Sequence, residues 1–376
     1  MKIIIPKNRI KKGLSIIERI PTKSLNLLIL NNVLIKTEKN FLTLNVTDLE
    51  IGIRYWTLSK IDKKGEVIVP IKPLSFFISL LPEQNINIEL KDNNLEIQCE
   101  DNKTQLNTFN VADFPIFPEI DKENYIIIDS KIFCDALTQV INFTATTSLK
   151  PEIMGVYISI QKNILKITAT DSYRLGEKQI LLDEKLINIQ NYSTILSQKI
   201  VKEIINIFSN IERKELKVYF SENQVLIESL IEGIDHPEIH IISRIVDGAY
   251  PNYEEIIPKD YNTRVIFLKQ DILNKIKTAG YFSGKNSEVH LDIIPSENRV
   301  KIYSKDAEIG KYESFLSTEI IGKPIKISFN AKFFLDGINS IKSQEIIFEI
   351  KDINSAAVLR PSNDDSYLYI IMPIRN

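Results

Sequence analysis

Through most of the chain apolar and polar residues alternate, in runs rich in Ile, Val, Thr and Tyr joined by short polar turns such as KDNN and SEN. This pattern predicts half-buried antiparallel strands. Six segments carry helical spacing instead: 8–19, 72–82, 131–143, 197–209, 268–282 and 330–341. Ile10, Leu14 and Ile17 form the apolar stripe of the first, and Phe334, Ile338 and Ile341 that of the last.

The pattern repeats at domain length. Leu42 to Ile53 (LTLNVTDLEIGI), Leu165 to Ile180 (LKITATDSYRLGEKQI) and Val300 to Tyr312 (VKIYSKDAEIGKY) each alternate and then turn at an aspartate. Asp48, Asp171 and Asp306 lie 123 and 135 residues apart. A second landmark, ADFPIF at Pro115, GAYPNY at Pro251 and YIIMPI at Pro373, recurs at 136 and 122 residues. Two markers at matching intervals predict three similar α+β domains, each with two helices against antiparallel sheet, over 1–122, 123–250 and 251–376.

Composition narrows the function. With 376 residues, 44% hydrophobic and 26% charged, the sequence is that of a packed globular protein. Cys99 and Cys134 lie in strand-like and helix-like runs, too few for a disulfide framework or a thiolate metal site, which points to a reducing cytoplasm. The opening MKIIIPKN is too short for a signal segment, and no long apolar run follows. No glycine-rich phosphate loop, dinucleotide fingerprint or nucleophile elbow is present. The HPEIH segment sets His236 and His240 four apart, but Pro237 opposes a helical metal pair there and the expected glutamate is missing. No metal, cofactor or catalytic set is expected, and Glu254-Glu255 reads as a solvated face.

Charge distribution says more than charge total. Lys plus Arg number 47 against 49 Asp plus Glu, a net charge of −2, which excludes a uniformly basic nucleic-acid coat. Yet the position opposite each helical apolar stripe is cationic in all six helices: Lys12 and Arg19, then Lys72, Lys131, Lys202, Lys277 and Lys332. Asp135 and Asp336 fall near the same face, so this is a bias and not a pure stripe. It predicts one positive surface that meets phosphates without reading bases, since lysines are flexible point charges and no aromatic stacking platform accompanies them. A β-rich oligomeric enzyme would need a convergent acid, base or metal set, and a peptide scaffold without DNA would leave the lysine bias unexplained.

Around TDSYRL (170–175), with TDLE (47–50), ADFP (112–115), AYPNYEEIIP (249–258), SFNAKFFLD (328–336) and a terminal MPIR (372–375), the chain resembles the β sliding clamp of bacterial DNA polymerase III over its whole length. The resemblance implies a non-enzymatic processivity factor. It implies a head-to-tail homodimer with pseudo-sixfold symmetry, whose helices line a ring around duplex DNA and which tethers the polymerase. Its interface candidates are Leu106 on an edge strand of the first domain and Tyr281 and Phe282 of the third. Lys23 and Lys150 are its loop candidates for the inner face.

The resemblance further implies a groove between the second and third domains for short peptides of the polymerase α subunit, the clamp loader and repair proteins. Its residues here would be Ile153, Thr170, Ser172, Tyr173, Arg174, Leu175, Pro251, Ile256, Asn330, Phe333, Met372, Pro373, Ile374 and Arg375. Leu175, Ile256, Met372 and Ile374 would take apolar anchors, and Arg174 and Arg375 would hold backbone or carboxylate groups. This chain departs from the pattern at Ser172-Tyr173, where Gly-His or Gly-Tyr is usual, at Glu255, where a basic residue is common, and at the terminal Asn376.

Overall fold

A computed structural model describes residues 1–20, 27–209 and 214–374. Six α-helices punctuate the strands: α1 (Lys7–Ile17), α2 (Ile71–Leu80), α3 (Ser130–Val140), α4 (Gln198–Phe208), α5 (Lys269–Tyr281) and α6 (Ala331–Ser340). All six fall where helical spacing was read, with adjusted ends. α1 stops at Ile17 and leaves Arg19 in the following turn, and Ile141–Phe143 form a separate 3-10 turn after α3.

The chain divides into two compact units. The first comprises Met1–Phe133, Glu184–Ile189 and Glu203–Ile245, and the second Cys134–Asp183, Gln190–Lys202 and Val246–Asn376. The first unit holds a five-stranded antiparallel sheet in the order Lys60–Lys63, Lys2–Pro6, Asn85–Lys91, Asn94–Cys99, Asn102–Asn107. It also holds a nine-stranded sheet in which Pro237–Arg244 pairs with Ile51–Leu58. The second unit repeats the scheme. It has a nine-stranded sheet, in which Arg174–Leu181 pairs with Tyr367–Ile371, and a four-stranded sheet that ends on Gly310–Ser317.

Alternation and stripe are what the sheets and helices bury. On Glu288–Ile294, Val289, Leu291 and Ile293 are fully buried while their neighbours are half-buried. α1 buries Ile10, Leu14 and Ile17, and α6 buries Phe334 and Ile338, with Ile341 buried just beyond its end. A tyrosine ring presses on a helix glycine in both: a Cβ at Gly13 would overlap Tyr55, and one at Gly337 would overlap Tyr369. Asn330 caps α6, its side-chain oxygen accepting from the Lys332 and Phe333 amides at 3.0 and 3.2 Å.

The aspartate landmark is one piece of local chemistry used three times. Asp48 Oδ1 accepts from the Glu50 and Ile51 amides at 3.0 and 2.8 Å, Asp171 Oδ1 from Tyr173 and Arg174 at 3.0 and 3.1 Å, and Asp306 Oδ1 from Glu308 and Ile309 at 2.9 Å each. Each side chain thereby closes the turn between two strands. In the first two turns the preceding threonine acts identically: Thr47 donates to Ile51 O and accepts from Leu49 N, and Thr170 donates to Arg174 O and accepts from Ser172 N. The middle residue is left-handed in both, with φ of 74° at Leu49 and 78° at Ser172. That backbone favours glycine, which is why Ser172 stands out from the usual pattern.

Candidate functional site

In the second unit the turn 170–174, from which the peptide groove is expected to be built, lies against the C-terminal segment. Met372 N donates to Tyr173 O at 2.9 Å, and Ile374 N donates to Ser328 O at 2.8 Å, so the C-terminal segment runs from this turn to the strand that leads into α6. The exposed Tyr173 ring stacks on Phe333 of α6, centroids 6.2 Å apart. Met372 packs on a buried cluster of Leu175, Tyr253, Ala356, Val358, Leu368 and Ile370, joined by Tyr250 and Ile257. Pro251 and Ile256 flank this cluster on the same segment as Tyr250 and Tyr253, both exposed, while Pro373 is buried. Buried Ile153 lies in the 3-10 turn Pro151–Met154, its carbonyl accepting from Ala145 N at 2.9 Å.

Three of the residues expected to line the groove are already engaged within the fold. Arg174 is buried and three of its five N–H donors have partners within the fold. Its Nε donates to Asp171 at 2.9 Å, one terminal nitrogen to Asp336 and the other to Asn142 O at 3.3 Å, and its carbon lies 4.4 Å from the Phe333 ring centre. Burial opposes this charge, but the bonds to Asp336 and Asp171 keep its pKa above the ordinary value. Leu175 supports the groove floor from within the core and offers almost no surface to an anchor. The Asn330 side-chain oxygen is occupied as the α6 cap. Arg375, and with it Asn376, lies outside the described residues.

The groove floor is tied down by polar groups that the sequence did not reveal. Tyr253 donates to the buried Glu177 and accepts from Thr168 at 3.1 Å, and burial together with the Glu177 charge pushes its pKa well up. Tyr157 stacks on Tyr250 at 4.6 Å. Glu254 and Glu255 are both exposed, as a solvated face would be; Glu254 also pairs with Lys166 at 2.6 Å, and Glu255 accepts from Asn252 at 2.6 Å.

Lys12, Arg19, Lys72, Lys131, Lys150, Lys202, Lys277 and Lys332 are all exposed, and Lys23 lies outside the described residues. Lys12 is not a free cation, since it pairs with the buried Glu238, which Lys214 also contacts. Lys202 donates to Gln198 at 2.7 Å within α4. Where lysines sit along the helices adds a signal that face alone missed. The second residue of α2, α3, α4 and α6 is Lys72, Lys131, Lys199 and Lys332, and none of these helices has an acid in its first turn. Cations at helix N-termini oppose the macrodipole, usually at about 0.3–1 kcal/mol each; at α3 the Asp129 carboxylate accepts from the Lys131 and Ile132 amides and offsets this, while α2, α4 and α6 concentrate positive potential where an anion binds best.

The interface candidates sit at open edges. Leu106, half-buried, is on Asn102–Asn107, the outermost strand of its sheet. Tyr281 is exposed and meets Phe282 edge-on at 5.5 Å, and Phe282 stacks at 6.0 Å on Tyr312 of the outermost strand Gly310–Ser317. Phe76 and Leu80, one turn apart on α2, are each 69% exposed and escaped the sequence reading because they lie outside the 3.6-residue core stripe.

The histidine pair is structural. Pro237–Arg244 is a strand, so His236 and His240 cannot chelate as on a helix. His236 stacks on Phe41 at 3.8 Å, and His240 Nε2 meets Glu228 at 2.6 Å. Cys99 and Cys134 are buried and not joined in a disulfide, and no helix among the described residues is long and apolar enough to cross a membrane.

These features define an α+β protein built by repetition, with cationic helix starts and an aromatic and apolar cluster beside the turn 170–174. Family models of the DNA polymerase III beta subunit match it in series: the N-terminal domain over residues 1–118, the central domain over 127–252 and the C-terminal domain over 254–375. A beta sliding clamp of Bacillus subtilis is 24% identical over 387 residues, covering 100% of both chains. One of Staphylococcus epidermidis is 27% identical over 360 residues, covering 92% of each. Among solved structures, a DnaN sliding clamp of Pseudomonas aeruginosa bound to griselimycin superposes with a TM-score of 0.92 at 22% identity, covering 100% of both chains. The chain belongs to the DNA polymerase III beta subunit family, the beta sliding clamps. It is a sliding clamp of DNA replication and not a catalyst, with DNA and a DNA polymerase as partners.

Proposed function

We propose that two copies of this chain close head to tail in the bacterial cytoplasm, each contributing domains near 1–122, 123–250 and 251–376. The ring slides on duplex DNA while polymerase and clamp-loader peptides dock in the groove. Lysines at helix starts, where the macrodipole disfavours them, carry the DNA part of this reading. Mobile lysine–phosphate contacts carry no sequence information, which suits sliding. The outer strands Asn102–Asn107 and Gly310–Ser317 leave open backbone edges, and pairing them between copies supports a heterologous contact that closes.

Lysine reversal tests the DNA contact. Lys72→Glu, Lys131→Glu, Lys277→Glu and Lys332→Glu together are expected to shorten the residence time on loaded DNA at least about tenfold. The slope of log affinity against log salt should fall by about 0.9 per lost phosphate contact. An unchanged slope would remove these lysines from the DNA surface. In the groove, Met372→Ala with Ile256→Ala is expected to weaken a polymerase-derived peptide by about 2 kcal/mol in fluorescence anisotropy. Equal affinity in the folded double variant would place the peptide elsewhere.

A further inference from the structure

The internal repeat carries a second groove with it. Arg244 N donates to Glu50 O at 3.1 Å just as Met372 N donates to Tyr173 O, and Ile242 faces Gly52 in the ladder as Ile370 faces Leu175. At these two pairings the first unit repeats the backbone frame on which the peptide groove is proposed. Its lining differs. Arg244 stands for Met372, Glu50 for Tyr173 and Gly52 for Leu175.

The replacement of leucine by glycine matters most. Phe117 lies on Gly52, its ring carbon 2.7 Å from where a Cβ would be, and the rigid segment Pro115–Pro118 borders a cavity of about 260 Å3. That space suits one or two side chains. Ile116 at its rim is 95% exposed, and Leu49 is half-exposed while held at φ 74°, a left-handed conformation that is strained for a leucine. A large apolar side chain kept in a strained turn beside an open cavity, next to an exposed arginine, has no evident packing reason in the fold.

We infer that this cavity is a second docking site for extended peptides, selective for an apolar side chain adjacent to a carboxylate. The apolar group enters between Leu49, Ile116 and Phe117, and the carboxylate meets the Arg244 guanidinium, against the opposing charge of Glu50, which lines the same cavity. Ligands of the first groove, where the same positions are Met372 and Tyr173, lack that requirement. The inference takes its ligand class from the peptide-groove reading, and the test separates the two.

The probe is a fluorescein-labelled hexapeptide Ser-Gly-Asp-Leu-Phe-Gly, with a version carrying Lys for Asp as control, titrated against the full chain. Arg244→Glu is expected to weaken the acidic probe at least tenfold, and Ile116→Ser about fivefold, while Met372→Glu leaves it unchanged and the Lys version binds at least tenfold more weakly. Leu49→Gly is the arm a purely structural role cannot imitate, because it relieves the left-handed strain and so keeps or raises the melting temperature while lowering affinity. Loss with Met372→Glu but not with Arg244→Glu would assign the probe to the first groove and overturn the second. So would equal binding of the acidic and Lys probes. Failure of the acidic probe alone, with a polymerase-derived peptide still binding, overturns the second groove only, and failure of both peptides overturns both readings.

Discussion

Arg174→Ala is expected to destabilise the second unit by about 3 kcal/mol and to loosen the peptide groove with it. The guanidinium is buried between Asp171 of the turn and Asp336 of α6, lies over the Phe333 ring and also reaches Asn142 O. Removing it leaves two carboxylates facing each other around a hole, and breaking a buried pair from one side typically costs about 3–5 kcal/mol. Asp336 is a third exposed, which places the expected value at the lower end. Amide exchange at Tyr173 and Arg174, whose N–H groups are held by Asp171, should accelerate first. Arg174→Lys should recover little, because an ammonium cannot span both carboxylates and the ring. A loss below about 1 kcal/mol in thermal unfolding would contradict this role.

Glu228→Gln is the counterpart in the first unit, expected to cost about 3 kcal/mol at neutral pH and progressively less in acid. Glu228 is buried and accepts from Lys122 at 2.6 Å, Tyr219 at 3.1 Å and His240 at 2.6 Å. Burial alone would raise its pKa, but the bonds from His240 and Lys122 outweigh that and bring it to about 2, against 4.5 ordinarily. Its stabilisation is therefore complete above about pH 5 and lost as pH falls toward 2. His240 acts in the same direction: burial lowers its pKa, so the unfolded chain takes up that proton first as pH falls below about 6.5. Trp56, the one tryptophan of the sequence, meets His240 edge-on at 4.6 Å and reports the transition by fluorescence. Parallel melting curves for both proteins from pH 7 to pH 3 would contradict the assignment.

Both predictions rest on partners far apart in sequence, and this separates what was legible from what was not. Helix positions could be read because apolar stripes such as Ile10, Leu14 and Ile17 mark a buried face at 3.6-residue spacing. The repeat could be read because an aspartate that closes a turn with its own side chain leaves the same local signature at Asp48, Asp171 and Asp306. Sheet continuity could not: nothing in Ile239–Ser243 announces that its backbone will pair with Ile51–Tyr55, since ladder hydrogen bonds carry no residue identity. The bond from Arg174 to Asp336 could not be read, because Asp336 lies 162 residues away. Lys12 looked free because Glu238 is 226 residues away. Leu175 read as an anchor pocket, but alternation along Arg174–Leu181 did not tell the groove surface from the core beneath it. Asn330 was within reach of sequence, because asparagine immediately before an apolar-striped helix is a standard cap.

A net charge of only −2 with lysines concentrated at helix starts fits a protein held to DNA by enclosure and not by affinity. Retention on DNA of different topology tests that most directly. The protein is loaded onto a nicked circular plasmid with a clamp loader, separated from free protein by gel filtration, and the plasmid is then cut once. Encirclement predicts durable retention on the circle and rapid loss once free ends exist. Equal retention on the linear and circular forms would contradict it.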